Sequence, residues 1–320
     1  MEFHSIKFFN LFRRKLFFFS SFSLVALIVF SSCTLDLIPN KAGSVHIIGV
    51  ALDYEHMYAN LKGTIDDVIE TATMFKYIYE DKGLKVDEKY FLQTGKDPDI
   101  NGSEYPSIDN LLNYISALET GKNDLILFIF SGHGVLGLSP SPALLMGVVD
   151  SSTPYPVLEM PTLFEALEEK GCQTLAIIDA CYSGGMAISW EQSINEGFEN
   201  MFKKQSINGV TVFAAARSFE ESHFSEGFYD SDEAHGIFTY YLLKELGWSH
   251  TDNVNRTVSS NGTEYSVHGY PYINLPSGLE ARVLFDSVIK NKERSDFMAL
   301  RGLKEIPVMN SGKSELVVIP

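Results

Sequence analysis

The sequence predicts an α/β fold, a mostly parallel sheet covered by helices on both faces. Short apolar runs alternate with segments of helical periodicity from about residue 44 to 250. The runs lack polar alternation, as strands buried on both faces do. No internal repeat, low-complexity stretch or Pro/Ser linker divides them.

The first strand is VHIIGVAL (Val45 to Leu52), apolar and rich in β-branched residues. A helix follows from Thr64, with Ile65, Val68, Ile69, Ala72, Phe75 and Tyr79 at helical spacing and Gly83 to end it. KYFLQ (Lys89 to Gln93) is a second strand. Pro106 to Gly121 is a second helix, with Ile108, Leu111, Leu112, Ile115 and Leu118 on one face. Asp124 to Phe130 is a third strand and Pro161 to Gly171 a third helix. Thr174 to Asp179 and Gly209 to Ala216 are the fourth and fifth strands. His235 to Gly247 is a late helix whose Phe238, Tyr240, Tyr241, Leu242 and Leu243 are core at helical spacing. Periodicity weakens over 251–320. That stretch is expected to pack on the same domain, with YPYINL and SELVVIP as candidate added strands.

A chain of 320 residues holds one large or two ordinary domains. Hydrophobic content of 45% and charged content of 21% are those of a globular protein. The net charge of −16 argues against nucleic acid as a partner, which calls for basic patches.

Residues 1–32 have the layout of an export signal. Lys7, Arg13, Arg14 and Lys15 precede an apolar stretch from Leu16 to Phe30, and Ser31 and Ser32 lead to Cys33. A cysteine there resembles a bacterial lipobox, in which the thiol is acylated, although Phe30 and Ser32 depart from its commonest form. The expectation is a lipoprotein, exported and held on a membrane through Cys33, with residues 33–43 as a tether. Ordinary signal cleavage or an uncleaved anchor are the alternatives. Thr34 disfavours retention at an inner membrane by the usual sorting rule. Of the other two cysteines, Cys172 follows a helix and reads as packed and inert, which leaves Cys181.

In sheets of this kind, ligands bind beyond the carboxyl ends of the strands. The third strand ends in FSGHG (Phe130 to Gly134) and the fourth in DACYSGG. Each block is common alone; together they place an imidazole and a thiol, flanked by glycines, at one edge. Amide cleavage by a thiol needs a nucleophile, a proton donor for the leaving amine, and donors for the oxyanion. Cys181 and His133 suit the first two roles. The N–H groups of Gly134 and Cys181 are candidates for the third. One His, one Cys and one Asp without close-spaced partners do not make a zinc set, and no Gly-rich phosphate loop follows the first strand.

DLILFIFSGHG followed by LAIIDACYSGG resembles the two signature blocks of the caspase-like cysteine peptidases, above all their bacterial and metacaspase branches. LKGTIDDV resembles the metacaspase block at the first helix, with Asp66 where Asn is usual, and HGIFTYYLL resembles the late helix. The resemblance implies a caspase-like three-layer sandwich with a six-stranded, mostly parallel sheet. It implies a His133–Cys181 dyad acting on peptide or protein substrates. It also implies an S1 pocket lined by Asp67, Ser131 and Asp179 that takes Arg or Lys through charge-assisted hydrogen bonds.

Each pocket residue has a structural rival. Thr64 and Asp67 approximate a capping box at a helix start. Ser131 fits a turn. Asp179 fits a hydrogen-bonded structural acid, though strand alternation sends it to the same side as Cys181. His223 and His235 could border the cleft, with His235 equally a helix-start residue, and His46 reads as packed. The long polar loop after Tyr182 would offer Lys203 or Lys204 for self-cleavage. The stretch after the histidine block offers only Asp150 to calcium, so no metal or other cofactor is expected. A catalytically inactive peptide-binding or scaffold protein on the same fold is the alternative function, and a transpeptidase a third.

Overall fold

Eight almost uniformly apolar residues leave water together, and β1 (Val45–Leu52) is buried along its whole length. The structure is a computed structural model. It describes residues 43–320 except 56–60, 96–98, 137–141, 148–155, 182–208, 217–233, 273–274, 304–306, 311–315 and 320.

β1 pairs in parallel with β2 (Val86–Gln93) on one side and β3 (Leu125–Leu136) on the other. β3 pairs with β6 (Gln173–Cys181), and β6 with β7 (Val210–Ala216), again in parallel. A short antiparallel strand, β11 (Val308–Asn310), closes the β7 edge. Within a sheet of eight strands, the order β11-β7-β6-β3-β1-β2 gives a six-stranded, mostly parallel path, the count that the family resemblance implies. Beyond it, β4 (Pro142–Leu145) pairs antiparallel with the far end of β3, and β5 (Val157–Glu159) pairs with β4.

Alternate residues of the central strands feed two cores. Ile47, Ile129, Ile177 and Phe213 meet Val68 and Phe75 of α1 (Thr64–Asp81) and Phe238 of α4 (Ile237–Leu246). Ile48, Phe128, Ile178 and Val212 meet Leu111 and Ile115 of α2 (Ile108–Ala117) and Phe164 of α3 (Met160–Glu168). Helices therefore cover both faces, as strands apolar on both sides require. Burying each such side chain contributes about 1.5–3 kcal/mol.

Residues beyond 250 pack into the first core. β8 (Trp248–Ser260) and β9 (Thr263–Pro271) form an antiparallel hairpin that buries Val258, Tyr265 and Val267. Ser260 ties it to β2, accepting the Leu92 N–H at 3.1 Å and donating to the Tyr90 carbonyl at 3.0 Å. α5 (Ala281–Lys290) and α6 (Lys292–Arg301) add Leu284, Val288 and Met298.

The two candidate added strands turn out differently. YPYINL gives only Tyr270 and Pro271 to β9 among the described residues. SELVVIP contains β12 (Val317–Ile319), which pairs with β10 (Leu279–Glu280) in a separate small sheet. The sixth central strand is instead Val308–Asn310, three residues long and too short to leave a pattern.

Candidate active site

The strands β3 and β6 run further than the sequence predicts, to Leu136 and Cys181. Their ladder therefore carries both blocks in register. Ser131 lies opposite Asp179, and residue 133 opposite residue 181. Histidine and cysteine thus come from neighbouring parallel strands at one end of the sheet, not merely from loops at the same edge. Gly134 follows at the start of the β3–β4 ladder, opposite Leu144.

Ser131, Asp67 and Asp179 are brought together and are buried. The Ser131 hydroxyl donates to an Asp67 oxygen at 2.8 Å. Asp67 also accepts the Gly236 N–H at 3.0 Å and pairs with His235 Nδ1 at 3.1 Å. Asp179 accepts the Thr239 hydroxyl at 2.6 Å and the Thr239 N–H at 3.2 Å. Gly236 is the N-cap of α4 and Thr239 lies in its first turn. Two carboxylates from separate elements thus meet the orphan donors and the positive dipole end of one helix.

The capping box at Thr64 and Asp67 does not form. The N-cap of α1 is Gly63, in the left-handed region at φ 89°, with no side-chain cap. Thr64 instead donates its hydroxyl to the Leu52 carbonyl at 2.8 Å, pinning the helix start to the end of β1. Asp67 stays in the first turn of α1, where a negative charge is favourable, but its oxygens reach across to α4. Ser131 is no turn residue either, because it stands inside β3.

His235 completes the acidic cluster. Its Nε2 lies 3.6 Å from Glu70 of α1. Burial pulls its pKa down, but the Asp67 hydrogen bond and the charges of Glu70, Asp67 and Asp66 outweigh that and raise it to about 9. The ring therefore stays cationic at neutral pH. His235 was a border or helix-start candidate in the sequence; nothing there paired it with Asp67.

Tyr54, between β1 and α1, carried no signal in the sequence at all. It packs on His133 with ring centroids 4.4 Å apart. Cys172 is buried, and burial pushes its thiol up, consistent with a packed role. His46 is buried as well and lies 3.4 Å from Asp124. It pairs with Ile126 near the amino end of β3, far along the ladder from His133. Cys33, Asp150, Lys203, Lys204 and His223 lie outside the described residues.

A helix-covered parallel sheet with His and Cys in register on adjoining strand ends is the architecture of a caspase-like cysteine peptidase. Residues 43–306 match the family model of the caspase domain, and the chain belongs to that family. A solved structure of pro-sf-caspase-1 is similar at 12% identity and a TM-score of 0.45, covering 87% of this chain and 94% of its own. No curated protein matches the sequence.

Proposed function

We propose that the protein is a cysteine endopeptidase using Cys181 and His133. The Cys181 thiolate attacks the scissile carbonyl carbon, and the oxyanion is received by the N–H groups of Gly134 and Cys181. His133 takes the thiol proton and gives it to the leaving amine as the C–N bond breaks. Water, deprotonated by the same imidazole, then hydrolyses the thioester and frees the enzyme. The observation that carries this reading is the register of residue 133 against residue 181 in a caspase domain.

A preference for Arg or Lys at P1 is supported by the acid count near Ser131. Asp67 and Glu70 lie against the cationic ring of His235, and Asp179, opposite Ser131 on the neighbouring strand, is a further buried carboxylate. Both pocket aspartates accept hydrogen bonds from their own chain, Asp67 from Ser131, Gly236 and His235 and Asp179 from Thr239. A basic side chain reaching either carboxylate would share its oxygens with these donors in a charge-assisted bond.

The test is a panel of fluorogenic peptides ending in Arg, Lys, Asp or Asn. Wild type should release fluorophore from the first two, and Cys181→Ala and His133→Ala from none. Binding without release in wild type would favour the inactive peptide-binding reading; release only with an added amine would favour a transpeptidase. The same Cys181→Ala protein, staying intact on a gel where wild type is cut, would support self-processing near Lys203 and Lys204.

The exported lipoprotein assignment belongs to the same proposal and rests on the pattern around Cys33. Palmitate incorporation in a bacterial host, lost in Cys33→Ala, checks it.

A further inference from the structure

β3 changes partners at His133. Its pairing with β1 ends where Ala51 meets Ser131, and its pairing with β4 begins where Gly134 meets Leu144. Residues 132 and 133 fall between the two ladders, and a buried backbone N–H there needs another acceptor. Tyr54 supplies one. Its hydroxyl accepts the His133 N–H at 3.0 Å and donates to the Leu145 carbonyl at 2.6 Å. One phenol thus bridges β3 and β4 where the sheet divides. Its ring lies against the imidazole, the two planes inclined at 35°.

Two independent features mark the contact. Tyr54 has φ 55°, in the left-handed region that costs a non-glycine residue about 1–2 kcal/mol. Strain of this kind persists where the surroundings over-determine it, and here the hydroxyl bridge and the ring stack do so. Gly132 is the second feature. A Cβ on it would come within 2.7 Å of the Tyr54 hydroxyl, so the residue before His133 leaves room for the phenol.

The geometry points to Tyr54 as a positioning residue for His133, an inference that rests on reading His133 as the proton carrier. The hydroxyl fixes the backbone from which the imidazole projects. The ring fixes the imidazole plane, and its π face favours the protonated form that accompanies a Cys181 thiolate. Tyr54 transfers no proton itself. Its effect therefore falls on kcat and on thiolate formation, not on substrate affinity.

Two readouts test it. One is kcat and KM for the preferred peptide. The other is the pH dependence of Cys181 alkylation by iodoacetamide, read by peptide mass with buried Cys172 as the internal comparison, which needs no substrate. Tyr54→Phe keeps the ring and removes the bridge; Tyr54→Leu removes both. Tyr54→Phe should lower kcat about tenfold, as small misplacements of a catalytic group do, with KM within about twofold, and should slow alkylation near pH 6. Tyr54→Leu should go further; if it does not fold, Tyr54→Phe decides alone. A wild-type kcat or a wild-type alkylation profile in Tyr54→Phe overturns the inference. His133→Ala, run in parallel, separates the two levels. If it alkylates as wild type does at every pH, the dyad reading falls and takes this role with it. If it loses its low-pH reactivity while Tyr54→Phe keeps it, only the role of Tyr54 falls.

Discussion

Asp67 and Asp179 come from a helix and a strand far apart in the chain, yet both carboxylates receive N–H groups from the start of α4, at Gly236 and Thr239. A helix begins with several unpaired donors and a partial positive charge, so two buried anions there stabilise it and are stabilised by it. The acids proposed to recognise a basic side chain therefore also hold a helix against the sheet. Substitutions in this cluster therefore act on stability, whatever they do to substrate recognition.

Thr239→Val removes the hydroxyl that donates to Asp179 at 2.6 Å and preserves the side-chain shape. A buried carboxylate that loses a hydrogen bond costs about 1.5–3 kcal/mol. Urea denaturation should show a loss of roughly 2 kcal/mol. A change within about 0.5 kcal/mol, typical of an uninvolved surface site, would show that Asp179 does not depend on this contact.

His235 gives the protein a pH dependence of definite sign. Its pKa rises from 6.5 to about 9 in the fold, so the native state binds the proton more tightly than the unfolded chain. The stabilisation is fully present below pH 6.5 and is lost as the pH rises through about 9. The groups that set it are Asp67, Glu70 and Asp66 on α1, with the Tyr240 ring 6.2 Å away on α4. Wild-type Tm should therefore fall more steeply between pH 6.5 and 9.5 than that of His235→Gln. Parallel curves for the two proteins would remove His235 as the source.

Much of the sheet is legible because its strands are short apolar runs, and burial on both faces leaves no other use for them. The hairpin β8–β9 escaped although its turn is written plainly. Asn261 and Gly262 have φ 51° and 79°, the signature of a tight two-residue turn, inside a stretch too polar to look like a strand. The juxtaposition of residues 133 and 181 is legible because each block ends an apolar strand, and the two strands prove to be neighbours in register. Asp67 is legible only in part. An acid in a first helical turn suits its own helix, and nothing local says that its oxygens turn to another. Tyr54 and the pairing of His235 with Asp67 depend on contacts that only the folded chain makes.

Gly63 is a position where shape decides. It has φ 89°, and a Cβ there would run into the carbonyl of Ala234, which is backbone and cannot step aside. Gly83 also has positive φ, 75°, but a Cβ there meets nothing within 4 Å. Gly83→Ala therefore bears only the conformational term of about 1–2 kcal/mol, and Gly63→Ala bears that and the clash. Denaturation should separate the two by at least about 1 kcal/mol. Ala234 precedes His235, so Gly63→Ala should also reduce peptide hydrolysis, while Gly83→Ala leaves it unchanged. Equal stability and equal activity in the two variants would mean that the Gly63 contact with Ala234 has no consequence.

Ser131→Ala tests the link between this cluster and recognition of the substrate. The hydroxyl donates to Asp67 at 2.8 Å, and Asp67 keeps Gly236 and His235 without it. One lost bond to a buried charged group, with others remaining, costs about 1.5–3 kcal/mol, within the reach of a domain that still folds. If Ser131 and Asp67 line the pocket, removing one of the two donors to that oxygen, which still accepts the Gly236 N–H at 3.1 Å, alters how a guanidinium and an ammonium are told apart. Arg presents a planar fork that uses two acceptor oxygens, whereas Lys presents a point charge. The ratio of kcat/KM for Arg over Lys peptides should therefore rise in Ser131→Ala, by roughly threefold or more if the gain is a good part of one charge-assisted bond. A stability loss with an unchanged ratio would make the Ser131–Asp67 bond purely structural. The S1 pocket would then have to be sought outside this pair.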